Sequence, residues 1–533
     1  MPWVQFQPLS WKVRVKVCLM LRSLFSVLMS VIVFSVSSFA QTTAAWTSVG
    51  QGLTNLRSQP AEKSISALNV GRLAVKWAFT TVGDVTATPT VSGGVVYFPD
   101  SAGNLYAVNA TTGIKIWQQT ITSYVGMPNA IARVSPAVYM NEIILGDNLS
   151  VTEKHAGAHV FAVNQADGKL LWITQVDANK AAIITGSPVV YNNVAYVGIS
   201  SEEEGLTQQK GYACCTFRGS IVALNATTGA KLWQTYMTPD NNGQPNQYSG
   251  AAIWSPPAID VGRNLLFTTT GNNYSVPSSV QACQAAANAA HNTTKRCALA
   301  SDMFDAIVAL NLTTGEPVWW QRPSVYDTYN LACHLTPPGP NCPTIQGLDY
   351  DFGGGGPNLF NNVVGAGQKS GVFNMFDAAK GKYIWSVPVG PGGQLGGILW
   401  GTASDGSRIF VASANSAAAT WTLASGQSIN WGFWSALDMK TGKILWQTPE
   451  PTHGASAISS MSTANGVVYV GSLDAAGYMY ALSSATGQVL WSFPSGGSVF
   501  GAPAIVDGTL YWGSGYKRFG GTGNNKLYAF YIP

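Results

Sequence analysis

A short phrase that ends in tryptophan recurs along the chain. It reads LYAVNATTGIKIW at its fullest, with variants VFAVNQADGKLLW, IVALNATTGAKLW, IVALNLTTGEPVW, MFDAAKGKYIW, ALDMKTGKILW and YALSSATGQVLW, closing at Trp117, Trp172, Trp233, Trp319, Trp385, Trp446 and Trp491. Each phrase alternates apolar and polar residues on both sides of a polar turn with glycine. That is the pattern of a β-hairpin whose turn uses φ > 0. Another strand pair precedes most phrases, as in ATPTVSGGVVYFPDSAGNLYAV and TGSPVVYNNVAYVG. Each unit therefore supplies about four antiparallel strands, and a spacing of ~40 residues or more suits a propeller blade. One such sheet cannot bury both faces alone, so stacking about an axis supplies the core. The tryptophans are expected between neighbouring blades, each ring removing up to ~200 Å² from water.

An eighth closing residue, Trp77, ends NVGRLAVKW without a strand and turn of its own before it. The missing half lies at the other end of the chain, where NKLYAF (525–530) is an opening strand without its turn. The expected fold is thus all-β: an eight-bladed propeller of four-stranded antiparallel blades, closed by N- and C-terminal strands that share a blade. Closure also hides sheet edges that would otherwise template aggregation. Length alone suggests about three domains. The unbroken repeat argues instead for a single propeller domain over residues 41–533.

Residues 1–40 differ. Lys12, Arg14, Lys16 and Arg22 precede an apolar run from Leu24 to Val36, and Ser38-Phe39-Ala40 fits a small-residue cleavage site. The run is too short for a membrane span and reads as an export signal, placing the mature chain in the periplasm or outside the cell. The formal charge of +4 belongs to this segment: taking its four basic residues from 29 leaves 25, equal to the 25 acidic ones. The mature chain is neutral, so nothing in it asks for nucleic acid. Without Cys18 six cysteines remain, an even number that in an exported protein points to disulfides. Proximity suggests Cys283–Cys297 and Cys333–Cys342. The adjacent Cys214 and Cys215 either form a vicinal disulfide or pair elsewhere. There is no CxxCH for covalent haem, and no CxxC or HExxH metal motif.

Spacing between the tryptophans is uneven, and the extra residues are expected in loops on the blade rims, where function concentrates. Three rim segments carry groups able to bind a metal or act as a base. They are Ser200-Ser201-Glu202-Glu203-Glu204, Thr270-Gly271-Asn272-Asn273 and Leu348-Asp349-Tyr350-Asp351-Phe352, the last followed by four glycines. The bland readings are a solvated acidic loop for the first and a turn for the second. Oxygen donors of this kind suit a hard cation such as Ca²⁺. Loops from separate blades converge at one end of a propeller, so their distance in sequence is no obstacle.

With TTG…W repeats, an exported context and these loops, the chain resembles the pyrroloquinoline quinone (PQQ)-dependent alcohol dehydrogenases. Through CCTFRGSIVALNATTG and DYDFGGGP it is most similar to the polyvinyl alcohol dehydrogenase-like branch, over essentially the whole mature chain. The resemblance implies a metal-binding glutamate at Glu203, with Glu202 and Glu204 as neighbours that fit almost as well. It implies a metal-binding Asn272 and a catalytic aspartate at Asp351, which also serves the metal, or at Asp349 if the match slides by two. Lys369 in AGQKSGVF would hydrogen-bond the quinone, and Trp254 in AAIWSPPAID would stack under it. Arg133, Thr185 and Ser201 would hold the cofactor carboxylates. Many family members carry an adjacent cysteine pair shortly before the arginine. Here Pro128 and Asn129 stand there, and Cys214-Cys215 lies in a later insertion, where its cofactor contact is an open question.

A flat tri-anionic quinone needs an aromatic floor, cations for its carboxylates and a metal on a quinone oxygen. An aspartate near that oxygen can take the alcohol proton. The expected function is therefore oxidation of a small or polymeric alcohol with PQQ and Ca²⁺, and a soluble cytochrome c as electron acceptor. The competing reading is a non-catalytic propeller scaffold of the outer-membrane assembly type. It predicts that Glu203, Asn272 and Asp351 do not converge.

Overall fold

Four-stranded antiparallel sheets follow one another along the chain as eight propeller blades, with few helices. The structure is a computed structural model that describes residues 45–148 and 156–533; the expected export signal lies outside the described residues. Thr43–Pro533 forms one compact unit. In chain order the blades occupy residues 90–120, 137–177, 182–236, 258–321, 358–388, 403–449, 462–494 and 504–531. The eighth is completed by Ala74–Thr80, which pairs antiparallel with Lys526–Tyr531, so the two ends of the chain share a blade as expected. Strand burial follows the architecture. Inner strands such as Leu265–Thr269 are buried throughout, whereas outer strands such as Tyr383–Pro388 alternate exposed and half-buried residues.

The tryptophan phrases dock each blade on the next. The ring of Trp319 lies against Gly381 of the following blade, where an added Cβ would come within 2.5 Å of the ring. Its Nε1 donates to the Ala378 carbonyl at 3.0 Å. The same pair of contacts joins Trp117 to Gly168 and Gln165, Trp172 to Gly229 and Ala226, and Trp446 to Gly487 and Ser484. The turn glycine is thus needed twice, for its positive φ and for the close approach of the neighbouring ring. Trp491 donates to the Leu73 carbonyl and so continues the series across the chain ends.

Two features were not legible beforehand. The rim segment between Asn273 and Asp302 contains an α-helix, Ser278–Ala289, whose alanine-rich sequence has no internal glycine or proline. Cys283 of this helix is bonded to Cys297, and Cys333 to Cys342, as proximity suggested; Cys214 and Cys215 form the vicinal disulfide. The segment after Thr43 is the second. It runs along the inner strands, where Val91, Val138, Ile259, Leu359, Ser404 and Thr463 each donate a backbone N–H to it. Edge groups at the propeller axis are thereby paired with the chain's own N-terminal strap.

Candidate active site

In a four-stranded antiparallel blade, the loop between the second and third strands and the connection to the next blade lie at the same end. The Trp-Gly turns lie at the other. Every site segment but that of Thr185 comes from the first set. Glu204, Asn272, Lys369 and Arg518 lie in second-to-third strand loops, Arg133, Trp254, Asp349, Asp351 and Trp400 in blade connections, and Thr185 between two pieces of the third blade's inner strand, Ala182–Ile183 and Val189–Tyr191. They meet around a cavity of about 200 Å³.

Local structure explains the convergence. Asp327 accepts from the backbone N–H groups of Asp349 and Tyr350 at 3.1 and 2.7 Å, which holds Asp349 at φ 59°. The next residues run beside the Lys369 loop, with Phe352 bridged to Gln368 and the Lys369 N–H donating to the Asp351 carbonyl. Asp351 Oδ1 accepts from the Asn272 N–H at 2.6 Å. At Gly271 a Cβ would stand 2.9 Å from that oxygen, so this loop needs glycine to come so close. Both amide hydrogens of Asn272 are spent on the carbonyls of Asn273 and Tyr329, leaving Oδ1 as the free acceptor of a residue that lines the cavity.

Charge is distributed unevenly over the wall. The Lys369 ammonium lies 2.7 Å from Asp349 and 3.0 Å from Asp351, and 5.7 Å from the centre of the Trp254 ring. Glu204 also lines the cavity, and its carboxylate makes no hydrogen bond among the described residues. Burial, opposed by Lys369 and reinforced by Asp351, Glu202 and Asp327, pushes Glu204 up to about 7. Burial likewise raises Asp349 well above the usual carboxylate range, against the pull of Lys369. Burial works against the charge of Lys369, but Asp349, Asp351 and Glu204 outweigh it and hold the ammonium well above its ordinary value. Two buried carboxylates thus bond one ammonium, with the half-buried Glu204 on the same wall, an arrangement that calls for a further cation or for protons. The wall also carries Arg133 and Arg518, with Glu202 3.9 Å from Arg518. Burial, and then Arg518, hold Arg133 below its ordinary value, while Tyr516 and Glu202 act the other way.

The structure brings together Arg133, Thr185, Ser201, Trp254, Asn272, Asp351 and Lys369 on the cavity wall, with Asp349 bonded to Lys369 just behind it. It does not bring in Glu203. That side chain is buried and turned into the insertion. Oε1 accepts from Tyr212 Oη and the Thr216 N–H, both at 2.8 Å, and Oε2 from the Phe217 N–H at 2.8 Å. Glu204 lines the cavity instead, because a helical turn at Glu203–Leu206 sends adjacent side chains in different directions. Cys214 and Cys215 are also corrected. Both are buried in the core with Phe217 and Tyr274 and do not line the cavity. Arg518 and Phe519 at the cavity wall, and Trp400, which meets Trp254 edge to face at 5.0 Å, were missed. They lie in segments without acids or a local motif.

The family described as outer membrane protein assembly factor BamB matches residues 49–211, 156–297 and 434–530, which reflects the shared repeat. The chain is 30% identical over 512 residues to a polyvinylalcohol dehydrogenase of Pseudomonas sp, covering 88% of this chain and 73% of the relative. It is 23% identical to a quinohemoprotein alcohol dehydrogenase of Pseudomonas putida, over 87% of this chain and 71% of the relative. The chain belongs to the quinoprotein alcohol dehydrogenase family. It is an enzyme of that family, whose members imply PQQ and a metal ion as cofactors. In fold, a quinohemoprotein alcohol dehydrogenase from Pseudomonas putida HK5 superposes with a TM-score of 0.66 at 18% identity, covering 92% of this chain and 80% of that one.

The residues present fit both groups. Glu204, Asn272 and Asp351 line the same cavity and offer oxygen donors, which suit a hard cation. Trp254 offers an aromatic floor, and Arg133 and Arg518 bring positive charge to the same wall. Thr185 Oγ1 is buried without a partner on the same wall, a donor free for a ligand carboxylate.

Proposed function

We propose that this chain is a periplasmic dehydrogenase that oxidises alcohols with PQQ and Ca²⁺ in this cavity and delivers the electrons to an external cytochrome c. The observation that carries the reading is one cavity wall that holds Asp351 and Glu204 with Asn272, Lys369 and Trp254, together with two arginines, and has Asp349 bonded to Lys369 behind it. Glu204, Asn272 and Asp351 would hold the metal. Trp254 would support the ring, and Arg133, Arg518, Thr185 and Ser201 would hold its carboxylates. When bound, the quinone would supply the acceptor for the carbinol hydrogen and its electron pair. Asp349 is the base, taking the substrate hydroxyl proton. A carboxylate bound to a divalent ion is a poor proton acceptor, and Asp351 is the one that lines the cavity with the other donors. Lys369 holds Asp349 in place and stays charged throughout. The name of the Pseudomonas relative supports a secondary or polymeric alcohol, polyvinyl alcohol included, as substrate.

The test is a PQQ titration followed by quenching of tryptophan fluorescence, with and without Ca²⁺. Wild type and Glu203→Gln are expected to bind the quinone more tightly with Ca²⁺, and Glu204→Gln to lose that dependence while keeping its circular dichroism. Equal Ca²⁺ dependence in Glu204→Gln would remove the proposed metal site.

A further inference from the structure

Beneath the site, on the propeller axis, lies a second cavity of about 50 Å³. Arg133, Thr185 and Trp400 line both cavities; Arg57, from the N-terminal strap, lines only the lower one. Arg57 is 3% exposed, and no salt bridge among the described residues involves it. Its Nη1 donates to the Val49 carbonyl at 3.2 Å, and its buried Nε has no partner among the described residues. The backbone goes to some lengths to place it. Arg57 has φ 50°, its N–H donates to Gly50 and its carbonyl accepts from Thr463. A Cβ on Gly401 would stand 2.9 Å from Nε, so the guanidinium lies flat against a glycine that keeps room for it.

A buried guanidinium without a carboxylate is an uncompensated charge, which proteins seldom retain. Burial lowers Arg57 to about 10, with no acid acting on it, so it remains charged at neutral pH. The lower cavity contains no acid either. Its polar wall is made of hydroxyls, among them Thr88, Ser135, Ser187 and Ser460, and of the two arginines.

We propose that this axial cavity is a binding site for a small inorganic anion of the halide class, held by Arg57 between the strap and the cofactor pocket. The lining decides the class: hydroxyls and a guanidinium without a carboxylate partner donate to a small anion, and the cavity has room for one beside Arg57. Arg133 forms the shared wall, so the anion and a carboxylate above it would bracket that guanidinium. The proposal does not rest on the quinone reading, because Arg57 lines this cavity alone, although Arg133, Thr185 and Trp400 are shared with the pocket above.

Bromide is the probe, because its anomalous scattering locates it. Crystals of the full chain grown in bromide, without cofactor and again with PQQ and Ca²⁺, are expected to show a bromide peak at hydrogen-bond distance from Arg57 in both. In solution, chloride should raise the unfolding temperature of the wild type above that in gluconate at equal ionic strength, and Arg57→Met should abolish the difference. The proposal is overturned if neither crystal shows bromide at Arg57, or if a PQQ carboxylate occupies that position. A wild-type unfolding temperature indifferent to chloride would also overturn it. The wild-type crystals decide even if Arg57→Met does not fold, and a failure of PQQ binding leaves the cofactor-free crystal as a separate answer.

Discussion

Three consecutive glutamates do three different things. Glu202 faces Arg518, Glu203 fastens the insertion to Thr216 and Phe217, and Glu204 stands unbonded in the cavity. The acidic run marked the place, but one residue of helical phase separates a structural group from one that lines the cavity, and spacing alone does not show that phase. The DYD segment was ambiguous for a similar reason: both acids reach Lys369, and only their backbone settings differ. Asp349→Asn is expected to keep Ca²⁺-dependent PQQ binding and lose about 10²–10⁴-fold in turnover, whereas Asp351→Asn should weaken metal binding itself. Turnover and quinone titration on the two variants check this, and equal loss of binding in both would contradict the division of roles. Asp302 gives a pH signature away from the cavity. It is wholly buried, takes one bond from Asn273 Nδ2 at 2.8 Å, and its Oδ1 has no partner. Burial raises it to about 7. The native state then keeps a proton that the unfolded chain releases near its ordinary value, so this stability is present at low pH and lost as pH rises toward 7. Relative to Asp302→Asn, the wild type should lose on the order of a few kcal/mol between about pH 4 and pH 7, read from denaturant unfolding.

At the scale of elements, the blades were the legible part. Period-two strands, a turn glycine and a closing tryptophan all encode local geometry, and local geometry is what a sequence pattern reports. The inter-blade role of the tryptophans was also legible; the target of each ring was not, because it lies one blade on. Gly381→Ala tests the pairing. Its φ of +67° and the 2.5 Å approach to Trp319 both resist a side chain, and a loss of roughly 1–3 kcal/mol is expected in chemical denaturation. Alanine at Gly406, with φ +86° and nothing within 4 Å, should cost only the backbone part. The helix at Ser278–Ala289 and the strap escaped notice for opposite reasons. One is a helical island inside a β-pattern, and the other pairs through backbone groups with no side-chain signature.

The whole molecule joins two ends of one chain and two faces of one ring. Closure through Ala74–Thr80 and Lys526–Tyr531 leaves one face to the Trp-Gly turns and the other to the loops that carry chemistry. That division places Arg133, Thr185, Glu204, Trp254, Asn272, Asp351 and Lys369 on one wall although more than two hundred residues separate the first from the last. A scaffold has no reason to gather them, and the identity to alcohol dehydrogenases agrees with the chemistry of the wall. The most direct measurement is dye-linked oxidation by purified protein supplied with PQQ, with Ca²⁺ added or withheld, over secondary alcohols and polyvinyl alcohol. Turnover that requires both additions and disappears in Asp349→Asn is the predicted result. A protein that binds PQQ and Ca²⁺ yet oxidises none of these alcohols would contradict the proposed function.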